Sequence, residues 1–108
     1  LSGPDLHAAI AGVLATHLPA APYQAWVVGS EATGCAQPGS DIDIAVEGAG
    51  LLPLETLTRL RDALEALPTL RSFDLIDLRR ATARFRQEAL SQAIPLRLDA
   101  PAPHDVES

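Results

Sequence analysis

The stretch Gly29–Val46, GSEATGCAQPGSDIDIAV, decides how the rest of the chain is read. Its second half, Ser40-Asp41-Ile42-Asp43-Ile44-Ala45-Val46, alternates acid with isoleucine, the period of a strand with one polar and one buried face. On such a strand the carboxylates of Asp41 and Asp43 share a face, about 6.5 Å apart along the chain. They repel each other unless a cation lies between them, and hard divalent cations take oxygen ligands. An Asp-x-Asp pair on an exposed face also serves simply to keep a strand edge solvated, so the pair alone does not choose between chemistry and solubility.

The residues before it narrow the choice. Tyr23-Gln24-Ala25-Trp26-Val27-Val28, bounded by Pro22 and Gly29, reads as a buried strand. Gly29 allows a sharp turn and close approach to a ligand. Ser30 is a good N-cap for a short helical turn through Thr33, whose free N–H groups suit a phosphate. Gly34, Pro38 and Gly39 then open a loop. Strand, Gly-Ser turn, loop and acidic strand thus fall within residues 23–46. Two metal ions about 3.5–4 Å apart clamp displacements at phosphorus, so the pattern suits phosphoryl or nucleotidyl transfer.

With Gly29-Ser30 followed by Ser40-Asp-Ile-Asp-Ile-Ala-Val46, the chain resembles the minimal nucleotidyltransferases (MNT) of the DNA polymerase beta nucleotidyltransferase superfamily, over about residues 5–96. The resemblance implies an α/β (α+β) polymerase-beta-like fold: a small mixed three-stranded sheet, with room for a short fourth edge strand, packed with helices. It implies a third carboxylate opening an Asp-Leu-Ile-Asp-Leu segment, which falls on Asp74. The implied catalytic and metal-binding set is Asp41, Asp43 and Asp74, with two Mg²⁺ ions. The implied nucleotide-binding residues are Gly29, Ser30 and Ser40, with ATP as substrate and AMP passed to a hydroxyl.

Family members of this size are often paired with a helical HEPN-domain toxin and act as antitoxins by placing AMP on a toxin tyrosine, so a HEPN-type partner is expected. Many relatives carry arginine shortly after Gly-Ser, where this chain has Glu31 and Thr33. That departure keeps two alternatives open. One is a weak or inactive subunit that neutralises its partner by contact. The other is a small-molecule (antibiotic-type) nucleotidyltransferase whose pocket a partner completes.

The remaining sequence reads as scaffold. The 108 residues suffice for one domain, expected over 1–98, with a loose proline-rich tail at 99–108. A single cysteine, Cys35, excludes a disulfide framework and fits a reducing cytoplasm. No neighbouring base activates it as a nucleophile. The net charge is −6, and the residues before Arg59 hold six acids and no Lys or Arg. Such a domain is not expected to grip DNA or RNA, whose affinity comes mostly from cations on phosphates. Residues 6–30 lack charge, but Pro19, Pro22 and Gln24 interrupt them, so no membrane span or signal peptide is expected.

Leu6, Ile10, Val13, Leu14 and Leu18 predict a first amphipathic helix. Residues 47–50 are expected as a flexible loop. A second helix is expected over 53–67 with Leu54, Leu57, Leu60, Leu64 and Leu67 on one face, stopped by Pro68. Residues 70–78 read as a strand. Asp77 has the opposite parity to Asp74 and reads as a strand-end or cap residue. Residues 79–93 predict a third helix with Phe85, Ala89 and Ala93 inward. Its Arg79, Arg80, Arg84 and Arg86 are either a solvated face or a patch for phosphates or an acidic partner. Residues 95–98 offer the edge strand.

Overall fold

A computed structural model describes residues 3–18, 23–29, 32, 34 and 41–98. Helix α1 spans Gly3–His17, and strands β1 and β2 span Gln24–Val28 and Ile42–Glu47. Helix α2 covers Leu54–Glu65, strand β3 Phe73–Asp77, a 3₁₀ turn Leu78–Arg80, helix α3 Ala83–Ser91 and strand β4 Ile94–Leu96. The sheet order is β3-β2-β1-β4. β1 is antiparallel to both β2 and β4, while β2 and β3 run parallel. The sheet is therefore mixed, as expected, and the fourth edge strand forms. A parallel neighbour needs a long crossover, and α2 supplies it.

Side-chain alternation sorts the sheet into two faces. One carries Ala25, Val27, Ile42, Ile44, Val46, Phe73, Leu75 and Leu96 against Leu6, Ile10 and Leu14 of α1 and Leu60 and Leu64 of α2. Ile10, Leu14, Ile42, Ile44, Leu60 and Leu64 are fully buried, so this is the main core. Burial of each such aliphatic side chain stabilises by about 1.5–3 kcal/mol. The other face carries a smaller cluster, in which Val28, Ala45 and Leu78 are buried beneath Trp26, Ile76, Ala81, Ala89, Leu90 and Ala93. The C-terminal turn of α3 thus lies on one end of this face.

Four local expectations change. α2 is shorter than 53–67: Ala66 already caps its C-terminus, before Pro68 is reached. Its buried row is Thr56, Leu60 and Leu64, an i, i+4 series. Leu54 lies about 120° round the helix from Leu60 and is 73% exposed. The third helix does not begin at Arg79. Asp77 accepts from the Arg79 N–H to cap the 3₁₀ turn, and Thr82 accepts from the Phe85 N–H to start α3. Phe85 therefore sits in the first turn, ahead of the part that meets the sheet, and is 43% exposed. Residues 47–50 are not a free loop at their start. Glu47 belongs to β2, and Gly48 is buried so closely under the Tyr23 ring that a Cβ there would overlap it. The expected tail at 99–108, Cys35 and the loop around it lie outside the described residues.

Candidate active site

The parallel pairing of β2 with β3 fixes the central fact of the site. Asp43 is the register partner of Asp74, and neighbouring strands lie about 4.8 Å apart. Register partners share a face, so Asp74 stands beside Asp43 on the side away from α1 and α2. Pairing continues upstream, where the Ile42 N–H donates to the Ser72 carbonyl at 2.8 Å. Asp41 precedes β2 by one residue, is exposed, and follows the same alternation. Asp43 is half-buried and Asp74 exposed. The three acids thus lie at the end of this face that α3 leaves open.

Electrostatics report the crowding. The Asp43 carboxyl is pushed above its ordinary range, first by burial, then by Asp74, then by Asp41. A divalent cation would relieve that repulsion, so the donor set fits one chemically. Among the described residues no three acids are already drawn round a common point as a bound ion would hold them. The fit is one of charge and oxygen donors, not of a preformed cage.

Gly29 completes this end of the site. It follows β1, whose Val28 is the register partner of Asp43. Its φ of 74° is left-handed, a region L-residues avoid. A Cβ at Gly29 would stand 2.6 Å from Asp43 Oδ2. Glycine is needed here twice over, for the turn and for the carboxylate beneath it. The turn closes with the Ala32 N–H donating to the Gly29 carbonyl at 3.1 Å. Ser30 and Ser40, the other residues expected to bind nucleotide, lie outside the described residues, as do Glu31 and Thr33.

Asp77 stays apart. Its buried carboxylate faces the opposite side, accepting from the Leu52 N–H at 2.9 Å and the Arg79 N–H at 3.0 Å, with Arg80 at 3.7 Å. It pins the start of the crossover to the end of β3. A feature the sequence reading passed over is the pair between Arg86 and Glu47, at 2.7 and 2.6 Å, which clips α3 to β2. Glu47 shares the parity of Asp43, which was the available signal that it lies on the same face.

Fold and site together define a nucleotidyltransferase domain. The chain matches the polymerase beta nucleotidyltransferase family over residues 10–98 and belongs to it. More particularly, it is similar in structure to chains of toxin–antitoxin complexes. One is a toxin–antitoxin crystal structure with AMP-PNP: 28% identity, 94% of this chain and 77% of that one, TM-score 0.66. Another is the complex of tri-AMPylated HEPN toxin with MNT antitoxin from Shewanella oneidensis: 27% identity, 96% and 76% coverage, TM-score 0.66. No curated protein sequence matches the chain. Among the described residues no helix is long and apolar enough to cross a membrane.

Proposed function

We propose that the chain is a Mg²⁺-dependent adenylyltransferase that moves AMP from ATP to a hydroxyl, a tyrosine of a helical HEPN-type partner, and so acts as an antitoxin in the cytoplasm. The observation that carries the reading is Asp43 in register with Asp74 beneath the Gly29 turn. Asp41, Asp43 and Asp74 would hold the ions, which when bound offset phosphate charge and favour an ionised acceptor. The chain's own contribution is positional. Gly29 receives the phosphates at the turn after β1, and Ser30 and Ser40 are the further residues that the sequence motif offers for them. Asp74, the outermost and most solvent-open of the strand-borne acids, takes the proton of the acceptor hydroxyl at its carboxylate oxygen. The acceptor's own oxygen, freed of that proton, then bonds to the α-phosphorus in line as the bond to pyrophosphate breaks. The toxin–antitoxin neighbours with AMP-PNP and with an AMPylated toxin support this choice of donor and acceptor.

The test is direct. Purified chain, Mg²⁺ and α-labelled ATP are mixed with the HEPN-type protein encoded beside it, and label is expected on the partner. Absence of label from wild type, under conditions where an active relative labels its own partner, overturns the reading. Glu31 and Thr33, standing where relatives carry arginine, motivate a second reading in which contact alone neutralises the partner. An Asp41→Ala, Asp43→Ala double variant decides: full protection of cells at wild-type dose supports contact, and loss of protection supports transfer.

A further inference from the structure

The arginine cluster of residues 79–86 is given no role in the proposed transfer, yet it borders a cleft. That cleft, about 650 Å³, lies between the 3₁₀ turn, the start of α3 and the end of β2. Leu78, Ala81, Ala83 and Gly48 give it an apolar floor, and Arg79 and Arg86 give it charge. It lies on the carboxylate face, since Glu47 at its edge has the parity of Asp43, about 13 Å further along β2.

The local charges do not balance. Arg80 faces Asp77, Arg84 faces Glu88, and Arg86 grips Glu47 with two bonds. Among the described residues Arg79 has no carboxylate to itself: its Nε donates to the neutral Gly48 carbonyl at 2.7 Å, and the one acid its charge acts on, Glu47, is already gripped by Arg86. That bond fixes the guanidinium in the cleft wall while leaving its terminal N–H groups uncommitted. The segment thus holds one arginine more than the carboxylates that face it. The part of α3 that borders the cleft, through Ala83 and Arg86, has no buried residue. Arginine is enriched where proteins dock.

We infer that this cleft is a docking site for an acidic surface of a partner protein, which inserts a carboxylate side chain onto Arg79. Nucleic acid is the poorer occupant. It needs several uncompensated cations along a phosphate track, and here three of the four arginines already face carboxylates on a chain of net charge −6. The inference goes beyond the transferase reading and does not rest on it. It places a partner's anchor on the same face as the three acids.

The test uses the full chain and a defined probe, acetylated hexaglutamate, followed by ¹⁵N NMR that includes arginine Nε–H signals. Saturable shifts are expected at Arg79 Nε–H and at the Ala81 and Ala83 amides. Arg79→Gln is expected to weaken binding about tenfold or more, the scale of a lost charge-assisted bond. Arg84→Gln removes the same charge outside the cleft and should change affinity by less than about threefold. Equal losses in the two variants, or shifts spread equally over Arg59, Arg61 and Arg97, would mean diffuse attraction and would overturn the proposal. So would tighter saturation of the cleft by inorganic phosphate or a short single-stranded RNA. The wild-type shift map stands as a test by itself if Arg79→Gln proves poorly folded.

Discussion

Gly29 and Gly34 provide a matched pair of perturbations. Both have left-handed backbones, with φ of 74° and 77°. Alanine at either position pays about 1–2 kcal/mol for that conformation. For a domain of this size each kcal/mol lowers Tm by about 4–8 °C, so the two variants should melt lower by similar amounts. The surroundings differ. Among the described residues a Cβ at Gly34 meets nothing within 4 Å, whereas a Cβ at Gly29 stands 2.6 Å from Asp43 Oδ2, inside contact distance. The Asp43 carboxylate is a short, movable group, so it swings aside instead of unfolding the domain. Gly29→Ala should therefore add little destabilisation beyond Gly34→Ala but lose the Tm increase produced by Mg²⁺ with a non-hydrolysable ATP analogue. Gly34→Ala should keep that increase. Differential scanning fluorimetry with and without ligand measures both quantities. If ligand raises Tm equally in the two variants, Gly29 does not shape the site through Asp43 and the reasoning fails.

Other outcomes follow from the same structure. Asp43→Asn should raise Tm in metal-free buffer at neutral pH, because the folded state holds this carboxyl above its ordinary 3.8. A raised acid pKa weakens the fold as pH rises through it, so the gain should vanish at pH below 3.8, and a gain that persists there contradicts the cause given. Glu47→Gln should cost stability at neutral pH. Arg86 holds that carboxyl below its ordinary 4.5, so the contribution is complete above 4.5 and fades as pH falls through the lowered value; urea melts at pH 7 and pH 3 measure the difference, which should narrow at the lower pH. Asp77→Ala should cost about 2–4 kcal/mol in urea melts by leaving the buried Leu52 N–H without its acceptor and Arg80 without its partner. A loss under about 1 kcal/mol would mean that Asp77 does not pin the crossover.

Much of this architecture could be read from side-chain period. Ile42 and Ile44 against Asp41 and Asp43 specify a strand and its buried face, and the stripe of Leu6, Ile10 and Leu14 specifies α1. The parity of Asp74 and Asp77 separates one carboxylate on the open face from one buried cap. What period cannot carry is long-range register. Nothing local to Asp74 says that it pairs with Asp43 and not with a residue two places along; the crossover length and the packing of α2 set that. Caps were also harder to see. Thr82 follows four residues that look helical, and only its hydroxyl bond to the Phe85 N–H ends one turn and begins another. The Gly48 contact with Tyr23 was hidden for the same reason, since it joins positions that alternation treats as independent.

The parallel placement of β3 has a consequence for biosynthesis. As the polypeptide leaves the ribosome, Asp41 and Asp43 are made about thirty residues before Asp74, and they meet it only after α2 has folded back and laid β3 at the sheet edge. A half-made chain therefore owns two of its three acids but no complete constellation. Any activity that needs all three switches on only when the last third of the domain is in place, so the topology itself keeps unfinished molecules silent.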